Sequence, residues 1–301
     1  MNKFNILFSS DLHGNLEQYQ RLLDKAKDEK ADAVIIGGDL FPKTGNLRTV
    51  DGQRSFLEEK LLPKFKELKK DSSCEIYLLM GNDDFIHNVP AFEKFEAENI
   101  YKIIHNKCLK LNDDFEIIGY SYVPLTPFTY KDWEKLDLDE LNEYETRKSD
   151  FTIWGYKWTG DLMTYGKLFD LYDRQDTIEK DLNKLFNLAK DSRKVILVSH
   201  SPPSDTNCDV NFRMEHIGSN AIRKVIEERQ PYLTLHGHIH ETIKRTGEFK
   251  DKINETICAS SSNHHEGDLA VISFNLYDLN SIKREVIHIE DVPDIFKNVG
   301  Y

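Results

Sequence analysis

The sequence predicts an α/β fold built on parallel strands. Short apolar runs alternate with stretches whose apolar residues recur at helical spacing, and the runs break directly into turns of Gly, Asp, Asn and His. A short apolar run bounded by turn signals has the dimensions of a buried strand. Strand, helix and strand in succession imply a parallel pair joined by a crossover helix.

Residues 4–8 read as the first strand, running into Asp11-x-His13 and a Gly-Asn turn. Asn15 with Gln18 reads as a capping pair for a helix carrying Leu16, Tyr19, Leu22, Leu23 and Ala26. Residues 33–36 form the second strand and end in Gly37-Gly38-Asp39, where glycine permits a sharp turn. Residues 40–52 are a loop. Leu57, Leu61, Phe65 and Leu68 mark a helix that Pro63 kinks or splits. The third strand, 76–80, ends in Gly81-Asn82-Asp83-Asp84, and a short helix (91–98) and strands near 101–104, 108–111 and 115–119 follow.

Residues 120–175 break the alternation. They hold 13 of the 33 aromatic residues and all three tryptophans, Trp133, Trp154 and Trp158, around an acidic cluster of Asp137, Asp139, Glu140, Glu143 and Glu145. A long irregular insertion in a compact domain is functional or disordered, and this density of rings argues against disorder. Either the rings pack a small subdomain, or they form a lid that stacks on a base or aryl group of a substrate.

Regular structure resumes with a helix begun by Asp176-x-x-Glu179 and faced by Ile178, Leu182, Leu185, Phe186 and Ala189. The strand at 195–198 ends at His200. Ser219 caps a helix bearing Ile222, Val225 and Ile226, and the strand at 232–235 ends in Gly237-His238-x-His240. Strand-like runs at 256–259, 269–274 and 285–289 close the chain. With no repeat and no linker, we read one domain over 1–301 with an insertion at about 120–175.

Composition narrows the function. The formal charge of −12 speaks against the basic face that an extended nucleic acid requires. Cys74, Cys108, Cys208 and Cys258 are scattered singly, which is the usage of reduced thiols in a cytoplasmic protein. No run approaches the roughly 18 apolar residues of a membrane span, so no membrane partner is expected, and the N-terminus reads as the first strand, not a signal peptide. Neither a phosphate-binding P-loop nor a serine nucleophile elbow is present. The oligomeric state is not legible.

Five strands therefore end, in order, in Asp11-x-His13, Gly38-Asp39, Gly81-Asn82, His200 and Gly237-His238-x-His240. Ligands in open α/β sheets gather outside the carboxyl ends of the strands. Mixed carboxylate, amide and imidazole donors suit a divalent ion such as Mn, Fe or Zn. Seven donors are too many for one ion and suit two, kept roughly 3.5–4 Å apart by a shared carboxylate.

In order and context these motifs resemble the calcineurin-like metallophosphoesterase superfamily, whose pattern is D-x-H, GD, GNH[D/E], H and GH-x-H, and the resemblance runs from Asp11 to His240. It implies a four-layer α/β/β/α sandwich, two mixed β-sheets flanked by helices. It also implies that Asp11, His13 and His240 bind one ion, that Asn82, His200 and His238 bind the other, and that Asp39 bridges them. Manganese is the first expectation, with iron or zinc as alternatives. The implied activity is hydrolysis of a small phosphodiester or phosphomonoester by a metal-bridging hydroxide, the ions neutralising the phosphoryl oxygens.

One residue departs from the pattern: Asp83 stands where the family has histidine. An ionised carboxylate beside two dications cannot donate a proton and repels phosphate. Asp83 and His87, the nearest histidine, are the catalytic candidates, and Asp83 is also a candidate extra ligand. The alternative function is a protein-interaction scaffold on the same fold without turnover, a reading the missing imidazole favours and the seven retained ligand types oppose. His264 and His265 read as a surface turn, the other possibility being that they face the site. His105, His216 and His288 show no partner pattern.

Overall fold

The computed structural model describes residues 3–138, 153–159, 161–168, 171 and 173–289. Asp139, Glu140, Glu143 and Glu145 of the acidic cluster lie outside the described residues. Two six-stranded mixed sheets stack face to face with helices on both outer sides, which is the expected four-layer order.

The first sheet has the spatial order β14 (Asp278–Ile287), β13 (Leu269–Asn275), β1 (Asn5–Ser9), β2 (Ala33–Gly37), β3 (Glu75–Leu79) and β4 (Lys102–Ile103). β1 to β4 are parallel, and β13 and β14 add antiparallel. The second sheet runs β11 (Lys250–Ile253), β12 (Thr256–Ser260), β10 (Leu233–His236), β9 (Val195–Ser199), β6 (Glu116–Tyr120) and β5 (Lys107–Lys110). Its four inner strands are parallel and its two edges antiparallel.

Side chains alternate across a strand, and here both faces are buried. Ile6, Phe8, Ile35 and Leu79 meet Ile117, Ile196, Val198 and Leu235 between the sheets. Leu7, Val34, Ile36 and Leu78 face outward onto α1 (Leu16–Asp28), α3 (Leu62–Asp71) and α4 (Val89–Glu96). Ile118, Tyr120, Val195 and Leu197 pack on α5 (Ile178–Phe186) and α6 (Asn220–Arg229). Each such side chain contributes about 1.5–3 kcal/mol, and together they fix the strand ends that carry the polar motifs.

Several local expectations are corrected. Asn15 is the N-cap of α1, but Gln18 does not complete a capping box. Its amide reaches instead to the carbonyls of His264 and Gly267 at 2.8 and 2.9 Å. Pro63 sits in the first turn of α3, after α2 (Val50–Phe56) and a π-helical turn at Leu57–Leu61; proline lacks the N–H that would continue the ladder. A short helix, α7 (Thr242–Thr246), and strand β11 went unforeseen, and β14 starts at Asp278, well before 285. β14 is a sheet edge in which exposed polar residues dilute the strand pattern.

The aromatic segment contains a hairpin, β7 (Trp154–Thr159) and β8 (Leu162–Lys167), that pairs Tyr156 with Tyr165. Its rings divide. Trp133 is buried and its indole N–H donates to the Asp84 carbonyl at 2.6 Å, whereas Trp154, Tyr156, Tyr165 and Phe128 are exposed. All four cysteines are free. Among the described residues no helix is long and apolar enough to cross a membrane.

Candidate metal centre

The carboxyl ends of β1, β2, β3, β9 and β10 converge on one polar cluster. After β1 and β2 the two loops zip together: the N–H groups of Asp11, His13 and Gly14 donate to the carbonyls of Gly38, Asp39 and Leu40 at 2.9, 2.8 and 2.9 Å. Asp84 staples the same loops from the β3 side, accepting from the N–H groups of Leu40, Phe41 and Gly81 at 2.9, 3.1 and 2.8 Å. This bonding turns Asp11, His13 and Asp39 into the left-handed region, with φ of 57°, 42° and 53°, and His238 joins them at 68°. Such backbone is uncommon outside glycine and clusters where surrounding structure over-determines it.

The side chains then meet. Ligand atoms of Asp11, His13, Asp39 and His240 lie within 4.8 Å of one another. Oδ2 of Asp39 is 3.4 Å from Nε2 of His13 and 3.5 Å from Nε2 of His200, so a single oxygen faces two imidazoles. On the far side Asn82 Oδ1 is 3.1 Å from His200 Nε2 and 2.7 Å from His238 Nδ1. Oδ1 of Asp11 is 3.3 Å from Nε2 of His240. Two motif glycines allow the approach. A Cβ on Gly81 would fall 2.2 Å from Asp39 Oδ1, and one on Gly38 would fall 2.3 Å from His200 Nδ1.

The donor set fits divalent ions. It mixes carboxylate, amide and imidazole donors, and Nδ1 of His13 is buried with no hydrogen-bond partner among the described residues. His200 donates its Nδ1–H to the Gly37 carbonyl at 2.9 Å, which fixes the ring and leaves Nε2 toward Asp39. Burial holds His13 well below the ordinary imidazole range and lowers His238 to about 3, so both are neutral as ligands must be. Burial opposes the charge on Asp39, but His200 and His13 outweigh it and keep the carboxyl well below its usual range. Without an ion, His200 rises to about 9 because Asp39 outweighs the cost of burial, and an ion at Nε2 would take the place of that proton.

The seven candidate ligands are thus brought together, and the two catalytic candidates part company. Asp83 is at the cluster: its N–H donates to Asp39 Oδ1 at 2.8 Å, and Oδ2 is 3.8 Å from His13 Nδ1. Burial and then Asp39 push its carboxyl up to about 6, with Lys43 and Arg48 pulling down, and added dications would pull the same way. His87 turns elsewhere. Its ring stacks on Trp158 at 4.3 Å and lines a cavity of about 710 Å³ with Arg54, Phe95 and Asp161.

Other groups reach the centre from loops. His265 packs its ring 4.9 Å from that of His13, and His264 lies 5.4 Å from His240, so the turn that carries this pair faces the site. Asn15 and Gln18 draw their loop in by bonding the carbonyls of His265 and His264, and Asn263 bonds the Asp11 carbonyl at 3.3 Å. Lys43 brings Nζ to 3.4 Å from His13 Nε2. Arg48 bonds Asp83 at 3.2 Å and lies over the Tyr130 ring at 4.5 Å. Phe128 stands edge-on to His238 with centroids 6.3 Å apart.

The family model of the calcineurin-like phosphoesterases matches residues 4–242. Uncharacterized protein MJ1162 of Methanocaldococcus jannaschii is 39% identical over 90 residues, 29% of this chain, and the chain spans 39% of that protein's length. TT1561 of Thermus thermophilus is similar in structure at a TM-score of 0.56 and 17% identity, covering 95% of this chain and 99% of its own. A dimetal phosphatase from Danio rerio is similar at a TM-score of 0.54 and 11% identity, covering 95% and 98%. At these identities the two structures speak to fold alone.

Proposed function

This chain belongs to the calcineurin-like phosphoesterase family, and from that premise we propose that it hydrolyses a small phosphodiester or phosphomonoester at a centre of two divalent ions. The observation that carries the proposal is the position of Asp39, whose Oδ2 faces His13 on one side and His200 on the other at 3.4 and 3.5 Å. On this reading Asp11, His13 and His240 bind one ion, Asn82, His200 and His238 bind the second, and Asp39 bridges. Manganese suits the donor set first, and iron or zinc next. When bound, the ions would supply Lewis-acid activation of water and neutralise the phosphoryl oxygens.

The chain's own residues bind and orient. Exposed Phe128 beside His238, and Tyr130 with Tyr156 at 5.7 Å between ring centroids, offer apolar faces to the organic part of an ester. That favours an aryl or base-bearing small molecule. The charge of −12 argues against extended nucleic acid, and the four free cysteines fit a cytoplasmic enzyme. Asp83 in place of the family's histidine favours a second reading, a binding scaffold without turnover.

Metal content by mass spectrometry, run beside a panel of nitrophenyl mono- and diesters, separates the two. Turnover that disappears on chelation and returns with manganese supports the enzyme. Two bound ions with no turnover across the panel would instead support the scaffold, and no bound ion at all would overturn both the centre and its chemistry.

A further inference from the structure

The carboxylate of Asp83 faces two ways. Its main chain is pinned to Asp39 Oδ1 at 2.8 Å, and its side chain lies between His13, 3.8 Å away, and the Arg48 guanidinium, 3.2 Å away. Arg48 is carried on the loop after β2, where its N–H closes a 3₁₀ turn on the Gly45 carbonyl at 3.2 Å. Its guanidinium carbon lies over the Tyr130 ring, 4.5 Å from the centroid. Among the described residues Asp83 is the one hydrogen-bond partner of that guanidinium. Its remaining N–H donors have no other partner among the described residues, and Asp83 is the side chain that links the guanidinium to His13.

We propose that Arg48 is a phosphate-binding residue of this centre, and that Asp83 and Tyr130 are positioning residues that set its guanidinium beside the ions. The proposal rests on the two-ion phosphoesterase reading above. The chemistry favours it in three ways. A guanidinium presents a planar fork that matches two oxygens of a phosphate. Stacking on a ring and an ion pair restrict the fork before ligand arrives, so less freedom is lost on binding. A lone carboxylate at position 83 would repel phosphate, whereas one neutralised by Arg48 removes that repulsion and converts the position into a mount for a cation.

The test uses the full chain and inorganic phosphate as the probe, titrated by calorimetry into metal-loaded protein whose ion content is measured in parallel. Arg48→Ala should weaken phosphate binding by about 10–100-fold with the ions retained, the scale of a lost charge-assisted contact. Arg48→Lys should recover only a minor part, since an ammonium cannot reproduce the fork. Asp83→Asn separates positioning from simple electrostatics. Deleting a negative charge would on charge alone tighten phosphate binding, while loss of the mount should weaken it by about 3–10-fold, and Tyr130→Leu should act in the same direction.

Wild-type affinity in Arg48→Ala, or tighter binding in Asp83→Asn, overturns the proposal. So does loss of ions from Arg48→Ala, because phosphate would then leave with the ions. A wild type that takes up no divalent ions, or takes them up without binding phosphate, is a different failure. It removes the reading on which the proposal stands.

Discussion

The N–H of Asp83 donates to Oδ1 of Asp39 at 2.8 Å while the other oxygen of Asp39 faces His13 and His200. The residue after Gly81-Asn82 is thus tied to the centre through its main chain, whatever side chain it bears. Asp39 is the joint of the whole arrangement.

Replacing that joint should cost both ions. Asp39→Asn is expected to reduce divalent-ion content at both positions, whereas Asp11→Asn, whose carboxylate faces His240 but not His200 in ion-pair distance, should lower chiefly one. Mass-spectrometric metal counts decide the matter. Two full equivalents in Asp39→Asn would sink the shared-carboxylate assignment.

Leaving-group dependence should be steep. On the two-ion reading Asp83 would be ionised beside the dications, and a guanidinium is too weak an acid to stand in as the proton donor. Positioned acid catalysis is typically worth about 10²–10⁴, so nitrophenyl esters should be cleaved faster than alkyl esters by a factor in that range. Asp83→His should shrink this ratio. The ratio is the useful readout, because any loss of phosphate binding affects both substrates. A ratio near one in the wild type would show that a donor is already in place.

His87→Ala should leave kcat within about threefold, far short of the acid-catalysis range. The expectation follows from the stacking of its ring on Trp158 at 4.3 Å, in a cavity lined by Arg54 and Phe95. A loss of a hundredfold, with ions retained, would restore His87 as the proton donor.

Asp132 gives a pH signature outside the centre. Oδ1 accepts the Trp158 N–H at 2.8 Å, and Oδ2 is buried without a partner among the described residues. Burial raises this carboxyl from 3.8 to about 6. The folded state therefore binds the proton more tightly than the unfolded state, and stability falls as pH rises between those two values. The shift corresponds to about 2–3 kcal/mol at full ionisation. Asp132→Asn should flatten that part of the curve, read as urea midpoints from pH 4 to 7 against wild type. Parallel curves for the two proteins would contradict the assignment.

The convergence of the seven candidate ligands was legible because each motif is contiguous with the end of an apolar run. Local chemistry suffices there: a buried strand, a glycine turn, a donor. Arg48 and Lys43 were not legible, and His264 and His265 could be read either as a surface turn or as facing the site. They lie on aperiodic loops that reach the centre only through contacts across the chain, such as Gln18 to the His264 carbonyl at 2.8 Å. Gln18 even misdirects, since its spacing from Asn15 imitates a capping pair. The division into two sheets was equally hidden to periodicity. Strands buried on both faces all read as uniform apolar runs, and nothing in Val195–Ser199 says which sheet it joins. The family resemblance supplied that order.

Asp11, His13, Asp39 and His238 all occupy left-handed backbone, at a cost on the order of 1 kcal/mol or more each. Against a total stability of about 5–15 kcal/mol for an ordinary domain, that is a sizeable burden to gather at one place. A substitution that relaxes one of these residues, glycine above all, relieves strain at the moment it deletes a donor. Gain of robustness and loss of the centre are therefore the same mutational step. A lineage that no longer needed the centre would slide downhill toward a sturdier sandwich without it.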